Sequence, residues 1–279
     1  MELKLKLEFL KRVLLGCVSS DTLSNFLKTN EYPNTDVMKI EISKDIPDEK
    51  STSNGDFENS YTMVGWARLC NVHESLDYIR ENNIDGDLME TGVWKGGVCI
   101  FMAEYVRLYK MNKKIYVADS FEGLPRPNTP EYSMIDKDVE LYNEFNGSFI
   151  RNSNMGSLDS NGEPQIFGVS LENVKYNFKS FNLLNDNIIF LKGWFKDTMV
   201  NNKDISKLSL LRLDGDLYSS TMDVLNNMYN NVTTNGVVII DDYGLDRCKE
   251  AVVEFREKNN ISDNIIGIDT CGVYWHKSK

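Results

Sequence analysis

Apolar positions in the first 28 residues recur as Leu7, Leu10, Leu14 and Val18, a helical spacing that outweighs the strand-like alternation of Leu3, Leu5 and Leu7. The pattern predicts a helix over residues 1–28. Polar residues then dominate from Thr29 to Ser60, with Pro33, Pro47, Asn54-Gly55 and many acids, as in a loop or an ordering lid. A second helix is predicted over Thr62–Asn82, where Leu69, Val72, Leu76 and Ile79 form one stripe and Asp85-Gly86 supplies a turn. Beyond Gly86 strands alternate with helices. The predicted strands are Asp87–Val93, Lys114–Ser120, Asn187–Phe195, Ser209–Asp216 and Gly236–Asp242, and the helices are Gly97–Lys110, Ser170–Asn182, Ser219–Val232 and Cys248–Asn260. Such alternation belongs to an α/β chain whose mostly parallel sheet is covered by helices on both faces. Two final strands, Ile265–Asp269 and Gly272–His276, lie so close in sequence that they should pair as an antiparallel hairpin. The stretch Gly123–Val169, holding Pro125, Pro127, Pro130, Gly147, Gly156, Gly162 and Pro164, breaks the rhythm and leaves a strand end where open α/β sheets bind ligands.

A chain of 279 residues can bury a large core in one or two domains, and 41% hydrophobic with 26% charged residues is an ordinary globular composition. The net charge of −11 argues against a nucleic-acid partner, which requires a basic face. Charges at Glu2, Lys4, Lys6, Glu8, Lys11 and Arg12 interrupt any signal-peptide core, and no apolar run reaches the roughly 18 residues of a spanning helix. A cytoplasmic protein with no membrane partner is expected. Five widely spaced cysteines without a C-x-x-C pair disfavour a disulfide framework or a thiolate zinc site.

Candidate chemistry gathers at the strand ends. The first strand runs into Glu90-Thr91-Gly92-Val93-Trp94-Lys95-Gly96-Gly97, where glycines let the backbone bend and a ligand approach. The acid before the first glycine suits a cofactor that has no pyrophosphate and carries positive charge, although a plain strand-to-helix turn has the same form. Asp119, ending the next strand, is placed to accept both hydroxyls of a ribose or to cap a turn. If the strands ending at Asp214 and at Asp241-Asp242 are neighbours, three carboxylates converge; their repulsion calls for a cation, and hard oxygen ligands select Mg²⁺, Mn²⁺ or Ca²⁺. Solvated acids capping following helices are the plainer reading, and it suits Asp216 best. His73 and His276 read as packed or surface residues, and no G-x-S-x-G elbow is present. Phe121, Trp194 and Phe195 follow strands, where an aromatic face can hold a purine or a sulfonium or simply pack.

Five blocks in order, Glu90-Thr91-Gly92-Val93-Trp94-Lys95-Gly96-Gly97, Ala118-Asp119-Ser120-Phe121-Glu122-Gly123-Leu124-Pro125, Leu191-Lys192-Gly193-Trp194-Phe195, Arg212-Leu213-Asp214-Gly215-Asp216-Leu217-Tyr218 and Asp241-Asp242-Tyr243-Gly244, resemble the TylF/MycF family of macrolide-sugar O-methyltransferases. The likeness runs from Tyr61-Thr62-Met63 to Thr270-Cys271-Gly272-Val273-Tyr274-Trp275; the first 60 residues and Asn128–Phe167 depart from it. The resemblance implies a Rossmann-like class I methyltransferase fold with a seven-stranded sheet, S-adenosylmethionine, a divalent ion (Mg²⁺ or Mn²⁺) and a small hydroxylated, sugar-like acceptor. It places the metal on Asp214, Asp241 and Asp242, and the cofactor on Met63, Glu90, Thr91, Gly92, Asp119, Ser120 and Trp194. Residues 1–60 would then be an N-terminal helix with a lid and oligomerisation segment, and 61–279 the methyltransferase domain with 123–169 as a lid insertion, in a homo-oligomer of two or more chains. The ion would lower the pKa of the acceptor hydroxyl, with Asp214 helping to accept the proton. Two other readings compete: a sugar-nucleotide glycosyltransferase using Asp214-Gly215-Asp216 as a D-x-D motif, and a non-catalytic nucleoside-binding domain. Glu90-x-Gly92 preceding Asp119 favours the methyltransferase.

Overall fold

The N-terminal apolar pattern folds as two helices instead of one. In the computed structural model, which describes residues 2–51, 59–127, 135–151, 156–160, 162–200 and 204–278, α1 covers Glu2–Leu14. It stops before Gly16, whose φ of +68° and close approach to Asn59 (an added Cβ would stand 2.8 Å from the Asn59 carbonyl oxygen) break the helix. Ser19 then caps a separate α2 (Ser20–Thr29), its hydroxyl accepting from the Thr22 amide. The expected polar loop contains α3 (Thr35–Ser43) and the short α4 (Asp48–Ser51). Asn34 starts α3 by accepting from the amides of Asp36 and Val37, a capping signal that the polarity of the stretch concealed. Asn54-Gly55 lies outside the described residues.

From there the elements follow in the expected alternation: α5 (Trp66–Glu81), β1 (Asp87–Thr91), α6 (Gly97–Leu108) and β2 (Ile115–Asp119). The long connection after β2 is not loop throughout, for it holds α7 (Asp136–Arg151) and an antiparallel pair, β3 (Gly156–Leu158) and β4 (Pro164–Ile166). Next come α8 (Leu171–Ser180), β5 (Ile188–Lys192), α9 (Phe195–Thr198), β6 (Leu208–Leu213), α10 (Tyr218–Met228), β7 (Val232–Ile240), α11 (Asp246–Lys258), β8 (Ile266–Gly267) and β9 (Val273–His276). Helix α5 begins at Trp66 and not at Thr62, because Thr62 folds its hydroxyl back onto the Val64 amide.

The main sheet runs β5-β2-β1-β6-β7-β9-β8; pairings among its first five strands are parallel, and β9 is antiparallel to both β7 and β8. Alternation sorts the strand side chains. Leu88, Leu210, Val237 and Ile239 face a core shared with α1, α5, α6 and α8, whereas Met89, Leu211, Val238 and Ile240 face α10 and α11. Leu7, Phe9, Leu10, Val13 and Leu14 of α1 are at most 1% exposed, so the N-terminal helix is part of the main core. Chain order reverses between β1 and β6, and the crevice at their C-terminal ends is where an open α/β sheet binds ligands.

Candidate active site

The exits of β1, β2 and β6 are tied together by backbone. Gly92 has φ +83°, and a Cβ there would fall 1.6 Å from the carbonyl oxygen of Asp214, so only glycine allows the two exit turns to touch. The Asp119 carboxylate accepts from the amides of Val93 and Phe121, each at 2.7 Å, and links the β1 and β2 exits. Burial pushes this carboxyl up from its usual value while those amides pull it back. Tyr61 accepts from the Gly97 amide at 2.9 Å, which brings the segment carrying Met63 against the start of α6.

These contacts frame a cavity lined by six of the expected residues, Met63, Gly92, Asp119, Ser120, Trp194 and Asp214. Glu90 and Thr91 do not line it: both are buried behind the wall, at 1% and 0% exposure. Pro125 and Phe167 from the insertion close one side, and Asp216, Ser220 and Asp223 another.

Behind the wall lies a network of ion pairs. Glu90, Arg212 and Asp241 fall on the same side of three adjacent strands, as the β1–β6–β7 register requires. The fully buried Arg212 pairs with Glu90, with Asp241 and, at 2.7 Å, with Asp214. Arg68 of α5 reaches the other oxygen of Asp241 and, at 2.9 Å, Asp269. Glu90 also accepts from the Cys99 thiol at 2.8 Å, yet burial lifts it to about 7 against the pull of Arg212. Burial and mutual repulsion raise Asp214 to about 6 and Asp216 to about 8, and push Asp242 well above the usual carboxylate range.

One carboxylate oxygen from each of Asp214, Asp241 and Asp242 lies within 4.8 Å of the others. The residues fit a divalent cation: the donors are all hard oxygens, and six carboxylates here, Glu90, Asp214, Asp216, Asp241, Asp242 and Asp269, face only two arginines. Asp216 is not the cap that the sequence suggested. Helix α10 begins at Tyr218 after Leu217, and the Asp216 amide, at φ +57°, donates to Asp242. His73 and His276 pack against aromatic rings away from the cavity.

Sequence reasoning missed Arg68 and the role of Arg212, along with Ser220, Asp223 and Phe167. An arginine inside the apolar run Leu210-Leu211-Arg212-Leu213 was a readable sign of a buried ion pair. Arg68 carried no local sign, since its partners are 173 and 201 residues away.

A sheet of this order, with a glycine turn after its first strand, an acid ending its second and the cavity between them, defines a class I methyltransferase. The particular family follows from comparison with known proteins. Residues 4–277 match the macrocin O-methyltransferase (TylF) family, and the chain belongs to it. It is 36% identical over 259 residues (92% of this chain, 93% of the relative) to mycinamicin III 3''-O-methyltransferase of Micromonospora griseorubida. It is 39% identical over 217 residues (77% and 75%) to 8-demethyl-8-(2,3-dimethoxy-alpha-L-rhamnosyl)-tetracenomycin-C 4'-O-methyltransferase of Streptomyces olivaceus. The structure of the O-methyltransferase NovP aligns with a TM-score of 0.77 at 34% identity, covering 99% of this chain and 100% of that one. The chain is an S-adenosylmethionine-dependent O-methyltransferase, which removes the glycosyltransferase and non-catalytic readings. The family match also takes in most of the first 60 residues, which sequence reading had left unmatched.

Proposed function

We propose that this enzyme methylates a hydroxyl of a sugar or sugar-like small molecule in natural-product or glycan biosynthesis, with Mg²⁺ or Mn²⁺ held by Asp214, Asp241 and Asp242. The observation that carries the cation is the three-carboxylate cluster beside the cavity, whose burial and mutual repulsion lift Asp214 and Asp242 above the usual carboxylate range, a cost that a cation would relieve. The acceptor class is supported by the relatives, one of whose names specifies a rhamnosyl substrate.

In this reading Asp119 accepts the ribose hydroxyls of S-adenosylmethionine, the Gly92 backbone permits close approach, and Met63, Ser120 and Trp194 complete the cofactor side. Glu90 and Thr91 act from behind, Glu90 by holding Arg212 in place. A bound divalent ion supplies Lewis acidity that lowers the pKa of the acceptor hydroxyl. Asp214, at the cavity wall, helps to take the proton as the methyl moves from sulfonium to oxygen, leaving S-adenosylhomocysteine. The walls do the rest by holding donor and acceptor in line and excluding water. Leu124, Pro125 and Phe167 line the cavity from within 123–169, which supports that stretch as the acceptor-side lid. Five free cysteines fit a cytoplasmic setting, and the exposed Ile40 of α3 offers residues 1–60 an apolar contact for a homo-oligomer.

Calorimetry with S-adenosylhomocysteine tests the cofactor side. Asp119→Asn should weaken binding by about 1.5–3 kcal/mol, roughly 10- to 150-fold. Wild-type protein that fails to bind at millimolar concentration would sink the assignment. Stripping metal with EDTA should abolish transfer to a deoxysugar-bearing acceptor while S-adenosylhomocysteine still binds; full transfer by protein verified as metal-free excludes the cation.

A further inference from the structure

The insertion contains a carboxylate that takes no part in the cavity yet holds the turn carrying Asp214. Asp138, in the first turn of α7, is 0% exposed. One of its oxygens accepts from the Tyr218 amide at 2.8 Å; the other accepts from the Ser219 amide at 3.0 Å and from the Ser219 hydroxyl. These are the first amides of α10, whose own N-cap, Leu217, has no side chain able to accept them. Among the described residues Asp138 forms no ion pair with Lys or Arg, so the amide end of α10 is what compensates its buried charge. The same junction is locked by packing: Leu217, fully buried, sits against Leu141 and Tyr142 of α7 and Ile166 of β4.

Sequence spacing gives this cap its consequence. Asp214 lies four residues before Tyr218, and α10 presents Ser220 and Asp223 to the cavity. Turn 214–217 is therefore held at one end by β6 and at the other by a residue of the insertion.

We infer that Asp138 is a positioning residue for methyl transfer: by capping α10 from α7 it fixes turn 214–217, and so aligns Asp214 with Asp241 and Asp242. The inference rests on the reading of those three residues as the cation site. It also assigns α7 the role of a docked brace, so that the wall formed by the insertion and the carboxylate cluster are set together.

The test compares wild type with Asp138→Ala and with Asp138→Asn, which keeps a carbonyl acceptor. Hydrogen exchange, Mn²⁺ titration and S-adenosylhomocysteine calorimetry are measured on each. In Asp138→Ala the amides of Tyr218 and Ser219 should exchange at least tenfold faster and Mn²⁺ should bind at least tenfold more weakly, with S-adenosylhomocysteine affinity held within threefold. Asp138→Asn should recover Mn²⁺ affinity to within threefold of wild type. Unchanged exchange at 218–219, or equal weakening of both ligands together with faster exchange throughout the sheet, would overturn the inference. Wild-type protein that binds no Mn²⁺ would instead overturn the cation reading, and the exchange at 218–219 would then decide the role of Asp138 alone.

Discussion

Arg212 occupies the penultimate position of β6, has no exposure, and is bonded to Glu90, Asp214 and Asp241 at once. An ion pair buried this deeply is costly to form but more costly to break, because removing one partner strands the others without water. Arg212→Met should therefore destabilise the fold by about 3–5 kcal/mol, read as a lowered urea midpoint at unchanged slope. A loss under about 1 kcal/mol, the range of an exposed pair, would show that the network does not hold the strand ends. At this scale the sequence was legible wherever residue type and position spoke together: Asp119 ends its strand and Asp214 follows one, and both line the cavity, whereas Asp241 and Asp242, which follow β7, are buried beside it with an oxygen of each within 4.8 Å of one on Asp214. Glu90 shows the limit. It too comes near a strand end, but one residue of alternation turns it inward to Arg212 and away from the cavity.

Helix α5 joins the N-terminal helices to the site, since it carries Arg68 toward Asp241 and His73 toward α1 and α6. His73 is 9% exposed, packed against Phe101 and Tyr105, and burial together with Lys11 lowers its pKa below the ordinary 6.5 although Asp77 and Glu8 pull the other way. The folded state thus binds fewer protons at this residue than the unfolded chain does. The stability this contributes is complete above about pH 6.5 and is lost as pH falls through the lower folded value. Denaturant midpoints measured from pH 7.5 to 5 should fall more steeply in wild type than in His73→Gln. The difference is bounded by one proton, about 1.4 kcal/mol per pH unit; parallel curves would refute the assignment. The elements the sequence missed share a physical cause. Caps such as Asn34 and the Gly16 break depend on single polar or glycine contacts, and α7 buries its few apolar residues against Leu217, which lies far along the chain.

For the molecule as a whole, the proposed cofactor site joins the exits of β1, β2 and β5, so a ligand bound there should stabilise the entire parallel sheet. S-adenosylhomocysteine at 100 times its Kd should add about 2.7 kcal/mol. For a chain of this size that corresponds to a rise in Tm of roughly 4–5 °C by scanning calorimetry. No shift at that saturation would mean that the ligand binds unfolded chain as well, or not at this cavity. By itself the sequence determined what local forces determine: the βα alternation, the parallel sheet with its antiparallel end, the glycine turn after β1, the acids at the strand ends and the family they mark. Periodicity and turn chemistry act over a few residues and can be read there. Tertiary structure alone decided which charges meet. Arg68 reaches Asp241 from a helix 173 residues earlier, Asp138 caps a helix 80 residues later, and Asp216 turns to Asp242 instead of capping α10. Those contacts are set by strand order and register, which arise when the sheet closes and leave no periodic trace along the chain.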